Sequence, residues 1–203
     1  MINEYKTRSR VFIGVLGALS SLLMAFEFPL TFPPAYMKFE ISDVAAIMAG
    51  FFLRPGAAAL TALIKILIKV FLTGSSTAFV GEWMALFCSL AYVLPASYFY
   101  HQFRTTQSAI PALLLGTGFA SLFAVLANRY VALPLYVKMF GISLDTIVKM
   151  GSATNPFVHS LNGFLLLTVF PFNLIKYGIV SLVSFLLFKK SSKALADLIN
   201  KNR

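Results

Sequence analysis

A succession of long apolar runs constrains this chain more than any other feature of its sequence. The clearest run extends from Phe164 to Phe188 and is followed at once by the cationic pair Lys189-Lys190. About 20 consecutive apolar residues are enough for a helix to cross the hydrocarbon core of a bilayer. Only 12% of the residues are charged, whereas soluble domains carry about 25%. The sequence therefore predicts an all-α integral membrane protein.

Turn signals divide this apolar sequence into six predicted transmembrane helices within a single domain, residues 1–203. Proline fits the first turn of a helix, where its missing N–H costs no hydrogen bond, so we expect the last span to begin at Pro171. The first apolar run has no convincing small-residue cleavage site after it, which indicates a retained helix rather than a signal peptide. The predicted spans are approximately 11–26, 41–53, 57–72, 83–100, 109–133 and 171–188.

Two of the predicted connections are unlike solvated loops. The first, residues 27–42, contains three prolines and many apolar side chains. The prolines prevent one continuous helix, so we expect a structured cap. The fifth, residues 134–170, is unusually long, and loops of this length are often lids or binding loops. Its apolar content favours packed short helices. We therefore expect the first and fifth loops to cap a pocket.

The distribution of the net charge of +10 indicates the orientation of the chain. Cytoplasmic loops of membrane proteins carry an excess of lysine and arginine. Six spans would place both termini on the cation-rich, cytoplasmic side of the cell membrane, and the cap and lid outside. Topology thus explains the charge, and no nucleic-acid-binding face is indicated. The predicted cytoplasmic cations are Lys6, Arg8, Arg10, Arg54, Arg104, Lys189, Lys190, Lys193, Lys201 and Arg203.

Asn173 and Lys176 are polar residues within the predicted last span. Residues three apart lie on one face of a helix, and polar groups at membrane depth usually face a cavity or a partner. A helix N-terminus already carries partial positive charge, so Lys176 calls for an electron-rich neighbour. That neighbour is either a carboxylate or the oxygens of a ligand. The alternative is a lysine that extends to the membrane interface.

A second pair of intramembrane cations lies on the predicted third helix. Lys65 and Lys69 are four residues apart, on one face, and charges at this depth need partners or water. We expect structural ion pairs rather than ligand contacts. The candidate partners are Glu40, Asp43 and Glu82.

The predicted outer side carries aromatic side chains, amides and a few charges. Such a set suits a flat organic ligand with a polar edge. The sequence shows no nucleophile with a neighbouring base and no metal-ligand cluster. It also lacks a phosphate-binding P-loop motif, so active uptake would need another subunit. We expect no catalytic residues, no metal site and no cofactor.

Three stretches of the chain resemble a known family. They are Lys38-Phe39-Glu40-Ile41-Ser42, Ala132-Leu133-Pro134-Leu135-Tyr136, and Pro171-Phe172-Asn173 followed by Lys176-Tyr177. They are similar to the riboflavin-specific S-components of energy-coupling-factor transporters, and the similarity extends from Val11 to Lys190. The resemblance implies a membrane subunit that binds riboflavin outside the cell. It also implies partners, namely a transmembrane T-component and two ATPase subunits.

The resemblance also assigns roles to individual residues. Small residues on the first helix would contact the T-component; here these are Gly14 and Ala18, with glycine where alanine is usual. The two asparagines would hydrogen-bond the ligand, and the lysine would reach a ring carbonyl or a hydroxyl. Phe39 and its neighbours in the first loop would close over the ring, and Trp83 and Glu82 are candidates by location alone. The expected ligand-binding residues are Phe39, Glu40, Trp83, Asn128, Tyr136, Asn173 and Lys176.

Other functions remain open at this stage. The same class of subunit could carry another vitamin, or flavin mononucleotide through Lys38, Lys138 or Lys149. A small integral-membrane enzyme would need a catalytic constellation that the sequence does not display. A self-sufficient channel or secondary carrier is a further alternative, although many carriers contain internal repeats and none is evident here.

Overall fold

In the computed structural model most of the chain is helical, as the apolar runs predict. The structure describes residues 2–29, 37–75 and 77–201, with side chains described for residues 7–28, 37–75 and 77–191. The middle of the predicted cap, residues 30–36, lies outside these ranges. The helices are α1 (Ile2–Ala25), α2 (Asp43–Phe52), α3 (Pro55–Thr73), α4 (Val80–Phe103), α5 (Ala109–Ala127), α6 (Leu133–Phe140), α7 (Leu144–Thr154), α8 (Leu161–Phe164) and α9 (Phe170–Lys201).

Five helical stretches of the described chain are long and apolar enough to cross a membrane. They are Thr7–Ala25, Pro55–Thr73, Val80–Phe103, Ala109–Phe140 and Leu161–Ser191. The predicted second span, residues 41–53, is instead the ten-residue helix α2. At 1.5 Å per residue its length is about 15 Å, half of the hydrocarbon core of about 30 Å. Helix α2 alone therefore does not make a sixth full crossing.

Two prolines lie inside the last two long helices. Pro134 and Pro171 each follow a π-helical segment, Asn128–Ala132 and Leu165–Val169 respectively. A proline inside a helix lacks the N–H group, and its ring clashes with the carbonyl of the preceding turn. In each segment the residue before the proline donates its N–H to the carbonyl five residues back, as Phe170 does to Leu165. This wider turn accommodates the proline, so the helix continues.

This continuity corrects two predicted boundaries. The fifth span does not end at residue 133 but continues to Phe140, and the last begins at Leu161 rather than at Pro171. The prediction at Pro171 was wrong because it treated proline as a helix start, whereas a π-helical turn tolerates it in the interior. The connection therefore shortens from residues 134–170 to 141–160, and it contains the short helix α7.

Small residues allow α4 and α5 to pack closely against each other. A Cβ atom on Gly116 would lie 2.6 Å from the carbonyl oxygen of Tyr92 and 2.9 Å from the Cβ of Ala96. Close backbone approach between small residues is the usual source of helix association in a bilayer. Helix α9 also packs on α5, and α2 contacts α1, α3, α4 and α9.

The described part of the first loop forms a short hairpin. Strand β1 (Phe28–Pro29) pairs antiparallel with β2 (Lys38–Phe39), with Phe28 opposite Phe39. Their rings lie 5.4 Å apart, centroid to centroid. Lys38 Nζ also donates to Glu27 Oε1 over 2.5 Å. Strand pairing, ring contact and an ion pair therefore join the described parts of the predicted cap, residues 27–29 and 37–39.

Candidate ligand-binding site

A cavity of about 280 Å³ lies at the end of the bundle away from the start of α1 and the end of α9. This volume is close to the lower limit of small-molecule sites, about 300 Å³. The walls come from the end of α1, the cap hairpin, the start of α4, the π-helical region after α5 and the start of α9. Five of the predicted ligand-binding residues line it: Glu40, Asn128, Tyr136, Asn173 and Lys176.

Glu40 and Lys176 form an ion pair across this cavity. Lys176 Nζ lies 2.6 Å from Glu40 Oε1, and the two side chains are 11% and 4% exposed. The second carboxylate oxygen of Glu40 accepts the N–H of Ser42 over 2.6 Å. Burial alone would raise the pKa of Glu40, but the Lys176 ammonium outweighs it and lowers that pKa well below 4.5. The electron-rich neighbour expected for Lys176 is thus a carboxylate of the cap.

A second ion pair lies deeper, beneath the cavity. Lys65 Nζ donates to Asp43 Oδ1 over 2.6 Å, and both side chains are almost completely buried. Ser89 on α4 also accepts from Lys65, over 3.0 Å, and its hydroxyl donates to Asp43. The predicted structural role of Lys65 is confirmed. Because Asp43 is the first residue of α2, this pair fixes the end of that helix next to Glu40.

Glu82 stabilises the turn between α3 and α4, which forms part of the cavity wall. Its carboxylate accepts from Lys69 Nζ over 2.7 Å, from Ser75 Oγ over 2.7 Å and from Thr77 Oγ1 over 3.0 Å. Phe79, in this turn, has a φ of +68°, a left-handed conformation that is unfavourable for a residue with a side chain. Ser75 Oγ, which donates to Glu82, also accepts the N–H of Phe79 over 2.8 Å. The ion pair with Glu82 confirms the pairing predicted for Lys69.

The two asparagines line the cavity from different helices and have the same local geometry. Asn128 Nδ2 donates to the carbonyl oxygen of Ala124 over 2.8 Å, and Asn173 Nδ2 donates to that of Val169 over 2.9 Å. Each bond reaches back four residues, next to a π-helical segment, where the widened turn shifts the backbone hydrogen bonds. It uses one of the two N–H donors of the amide and fixes the orientation of the group beside the cavity.

Phe39 and Trp83 are placed differently from the other predicted ligand-binding residues. Phe39 is 7% exposed and packs on Phe28, below the surface of the cap. Trp83 is 57% exposed and stacks on Phe87 at a centroid distance of 5.7 Å, in a separate lateral pocket. Neither side chain lines the main cavity. Consecutive residues of a helix point about 100° apart, so Trp83 points in a different direction from its neighbour Glu82, which lines the cavity.

Comparison with known proteins gives the family of this chain. Residues 8–188 match the family described as "ECF transporter, substrate-specific component", and this segment includes every residue of the cavity described above. The chain belongs to this family of ECF transporter S-components. It is therefore a membrane protein and a transporter component rather than an enzyme.

Several known proteins are similar to this chain over nearly their whole length. "Riboflavin transporter RibU" of Staphylococcus aureus (strain TCH60) is 26% identical over 194 residues, which cover 96% of this chain and 95% of the relative. "Riboflavin transporter RibU" of Lactococcus lactis subsp. cremoris (strain NZ9000) is 30% identical, with 92% and 95% covered. "Riboflavin transporter FmnP" of Bacillus subtilis (strain 168) is 26% identical, with 91% and 92% covered.

A solved structure shares the fold of this S-component. It is described as "Structure and mechanism of the S component of a bacterial ECF transporter". The TM-score is 0.74 at 26% sequence identity, and the match covers 94% of this chain and 98% of the solved one.

The small residues on α1 of this S-component divide into two faces. A Cβ on Gly17 would lie 2.5 Å from Ile64 Cγ2, so Gly17 provides close packing against α3. Gly14 has no such neighbour within 4 Å, and both Gly14 and Ala18 are exposed. Gly14 and Ala18, the two residues predicted to contact a partner, are thus accessible at the surface.

Some cavity residues were not among the predicted ligand-binding residues. Met37, Met84 and Phe172 contribute apolar walls, and Tyr177 contributes a ring that stacks on Tyr92 at a centroid distance of 4.9 Å. Apolar residues give no sequence signal here, because the lipid-facing and cavity-facing positions of a membrane helix have the same composition. The sequence did point to Tyr177, because this residue directly follows Lys176, one of the predicted ligand-binding residues.

Proposed function

We propose that this chain is the riboflavin-binding subunit of an ECF importer, which takes up riboflavin in the cavity beneath the cap. The observation that carries the proposal is that two carboxamides, Asn128 and Asn173, line one cavity together with the rings of Tyr136 and Tyr177. A flavin presents a flat aromatic body and a pyrimidine edge that alternates acceptors and donors. A carboxamide offers both kinds of group. The curated relatives, which are riboflavin transporters by name, support the same ligand.

The charges of the cavity favour an uncharged ligand. Each of its lysines is paired with a carboxylate that also lines the cavity: Lys176 with Glu40, Lys69 with Glu82, and Lys38 with Glu27. A phosphate ester would bring about −1.5 to −2 charges at neutral pH into a site whose cations are already neutralised. We therefore expect riboflavin to bind more tightly than flavin mononucleotide.

The ligand would enter from outside the cell, and both termini would be cytoplasmic. The cavity lies at the end of the bundle opposite the residues Arg8, Arg10, Lys189 and Lys190, and an excess of such cations is typical of cytoplasmic ends. In this orientation α2 forms the sixth, shortened span, and the hairpin and the α7 connection cap the cavity.

Delivery into the cell would require further subunits, a T-component and two ATPases, since the sequence carries no P-loop motif. The exposed small residues Gly14 and Ala18 would form the contact with the T-component. Small residues allow a partner helix to approach closely within the bilayer. Membership of the family of substrate-specific ECF components supports the assignment of ATP-driven delivery to other subunits.

Titration of riboflavin fluorescence against Asn173→Leu tests the proposed site. The substitution removes the amide and leaves a polar ligand edge without a partner, which costs about 1–3 kcal/mol, or about 5- to 150-fold in affinity. Asn162→Leu is the matched control, because Asn162 is exposed and does not line the cavity. Unchanged affinity of the Asn173 variant would exclude this site. Competition with flavin mononucleotide and thiamin identifies the preferred ligand.

A further inference from the structure

The pocket that contains Trp83 lies between the start of α4 and the last turns of the fifth span, Ala109–Phe140. We call it the lateral pocket, and its volume is about 490 Å³. All of the described residues that line it are apolar. Its outer side is open, since the side chains of Phe79, Trp83 and Met139 are each about half exposed. The pocket therefore offers apolar burial without hydrogen-bonding side chains.

The lateral pocket and the ligand cavity lie on two sides of the same helical segments. Residues four apart share one face of a helix, and the last turns of the fifth span show two such faces. One face lines the cavity and the other lines the lateral pocket. The cavity residues are Asn128, Ala132 and Tyr136, and the lateral-pocket residues are Val131, Leu135 and Met139. The start of this segment packs against α4, so the contact between the two helices separates the pockets.

Met84 on α4 is the one described residue that lines both pockets. The cavity residues near it in these two helices include Gly81, Ala85 and Ala132, which are small. The Met84 side chain is therefore a large part of the barrier between the pockets. Methionine is unbranched and flexible, and it fills irregular gaps in apolar cores. Removal of this side chain would join the two spaces.

The polar groups of the cavity give the bound ligand a direction. Asn173 and Lys176 come from α9, and Glu40 comes from the cap, whereas no described residue of α9 or of the cap lines the lateral pocket. The pyrimidine edge of a flavin needs hydrogen-bonding partners, but its benzenoid ring carries only methyl groups. When the polar edge binds the residues of α9, the benzenoid end points toward the apolar side of the cavity, where Met84 lies.

We propose that the lateral pocket is an apolar extension of the ligand site, closed by Met84, which takes an alkyl substituent on the benzenoid ring of a flavin. This inference rests on the proposed function, the binding of riboflavin in the cavity. Met84 is then a specificity-determining residue, because it sets the size of the benzenoid end that the site accepts. Burial of each methylene group of the substituent in the lateral pocket favours binding.

Fluorescence titration with a riboflavin analogue tests the role of Met84. The analogue carries a hexylamino group in place of one benzenoid methyl group, and the wild type should bind it about tenfold or more weakly than riboflavin. Met84→Ala should bind the analogue about tenfold or more tightly than the wild type does. Met139→Ala makes the same change in the lateral pocket alone and should alter analogue binding by less than about twofold. Equal effects of the two variants, or equal affinities of the wild type for analogue and riboflavin, would overturn the proposal.

Trp83, the only tryptophan of the chain, reports where the alkyl chain lies. A bromine atom quenches tryptophan fluorescence at contact, so an analogue with a terminal bromine on its hexyl chain should quench Trp83 of Met84→Ala more than the unbrominated analogue does. Val131→Phe in the Met84→Ala background fills the lateral pocket and should abolish both the gain in affinity and the additional quenching. Circular dichroism and a monodisperse elution profile confirm that each variant is folded.

Titration of the same proteins with riboflavin separates this proposal from the proposed function. If the wild type binds no riboflavin, both are wrong. If riboflavin binds but the brominated chain does not quench Trp83 more than the unbrominated one, only the apolar extension is wrong. Phospholipid with brominated acyl chains tests the other occupant, because quenching of Trp83 that saturating analogue does not reduce would assign the pocket to a lipid chain and overturn the proposal.

Discussion

Removal of the Lys176 ammonium should destabilise this protein far more than removal of another lysine in the same region. Lys176→Met leaves the Glu40 carboxylate, which is 4% exposed, without its cation. At 2.6 Å and an effective dielectric constant of about 20, the attraction is roughly 6 kcal/mol. Part of this is offset by the cost of removing both charges from water. Removing one partner of a buried pair costs about 3–5 kcal/mol, and this is the expected loss in the free energy of unfolding.

Equilibrium unfolding in mixed detergent micelles, followed by circular dichroism without added ligand, measures this loss. The control is Lys38→Met, since the pair between Lys38 and Glu27 is 42% and 20% exposed and such pairs contribute about 0–1 kcal/mol. In the double variant Glu40→Gln/Lys176→Met no charge remains unpaired, and most of the stability should return. Equal stabilities of the Lys176 and Lys38 variants, or a double variant as unstable as the single one, would refute the reasoning.

Three further predictions concern the pH response, the packing and the partner surface. The pKa of Glu40 is lowered below 4.5, so its ion pair with Lys176 is fully formed above pH 4.5 and is lost only as the pH falls through the lowered pKa. Riboflavin affinity, measured by fluorescence titration, should therefore be constant from about pH 5 to 8. A marked fall in affinity within this window would contradict the pairing of Glu40 with Lys176 in the binding site. Gly116→Val places a Cβ 2.6 Å from a carbonyl oxygen of α4 and should cost about 1–3 kcal/mol of stability, whereas Gly118→Val, with no neighbour within 4 Å of its Cβ, should not. Gly14→Ile should leave riboflavin binding unchanged but reduce ATP-driven uptake with the partner subunits in liposomes, and undiminished uptake would exclude this surface as the contact.

The sequence predicts the helical fold well because the bilayer imposes its requirements on local composition. Long apolar runs give both ends of α3 and α4 to within three residues, and the end of α1 to within one. Polar residues at membrane depth are equally informative, because they need partners there. Lys65, Lys69 and Lys176 all form ion pairs in the structure, with carboxylates that were foreseen for the first two.

The wrong predictions arise where the surrounding structure overrides a rule that is read from a few neighbouring residues. Pro171 has the sequence of a helix start, but the preceding π-helical turn allows the helix to continue through it. No residue in Leu165–Val169 distinguishes a π-helical turn from an α-helical one. The α2 segment is as apolar as a span, and only the structure reveals that Asp43 starts the helix and leaves it short. Trp83 was chosen by its position along the chain; in the structure it lines a separate pocket rather than the cavity of Asn128 and Asn173.

The absorption spectrum of the full chain, purified in detergent from cells grown in rich medium, tests the central claim most directly. The account predicts the absorption bands of a flavin, from a ligand that is released on denaturation and identified as riboflavin. It also predicts that Asn173→Leu yields less bound flavin than Asn162→Leu. A colourless protein that also fails to quench the fluorescence of added riboflavin would contradict the assignment of this cavity to riboflavin.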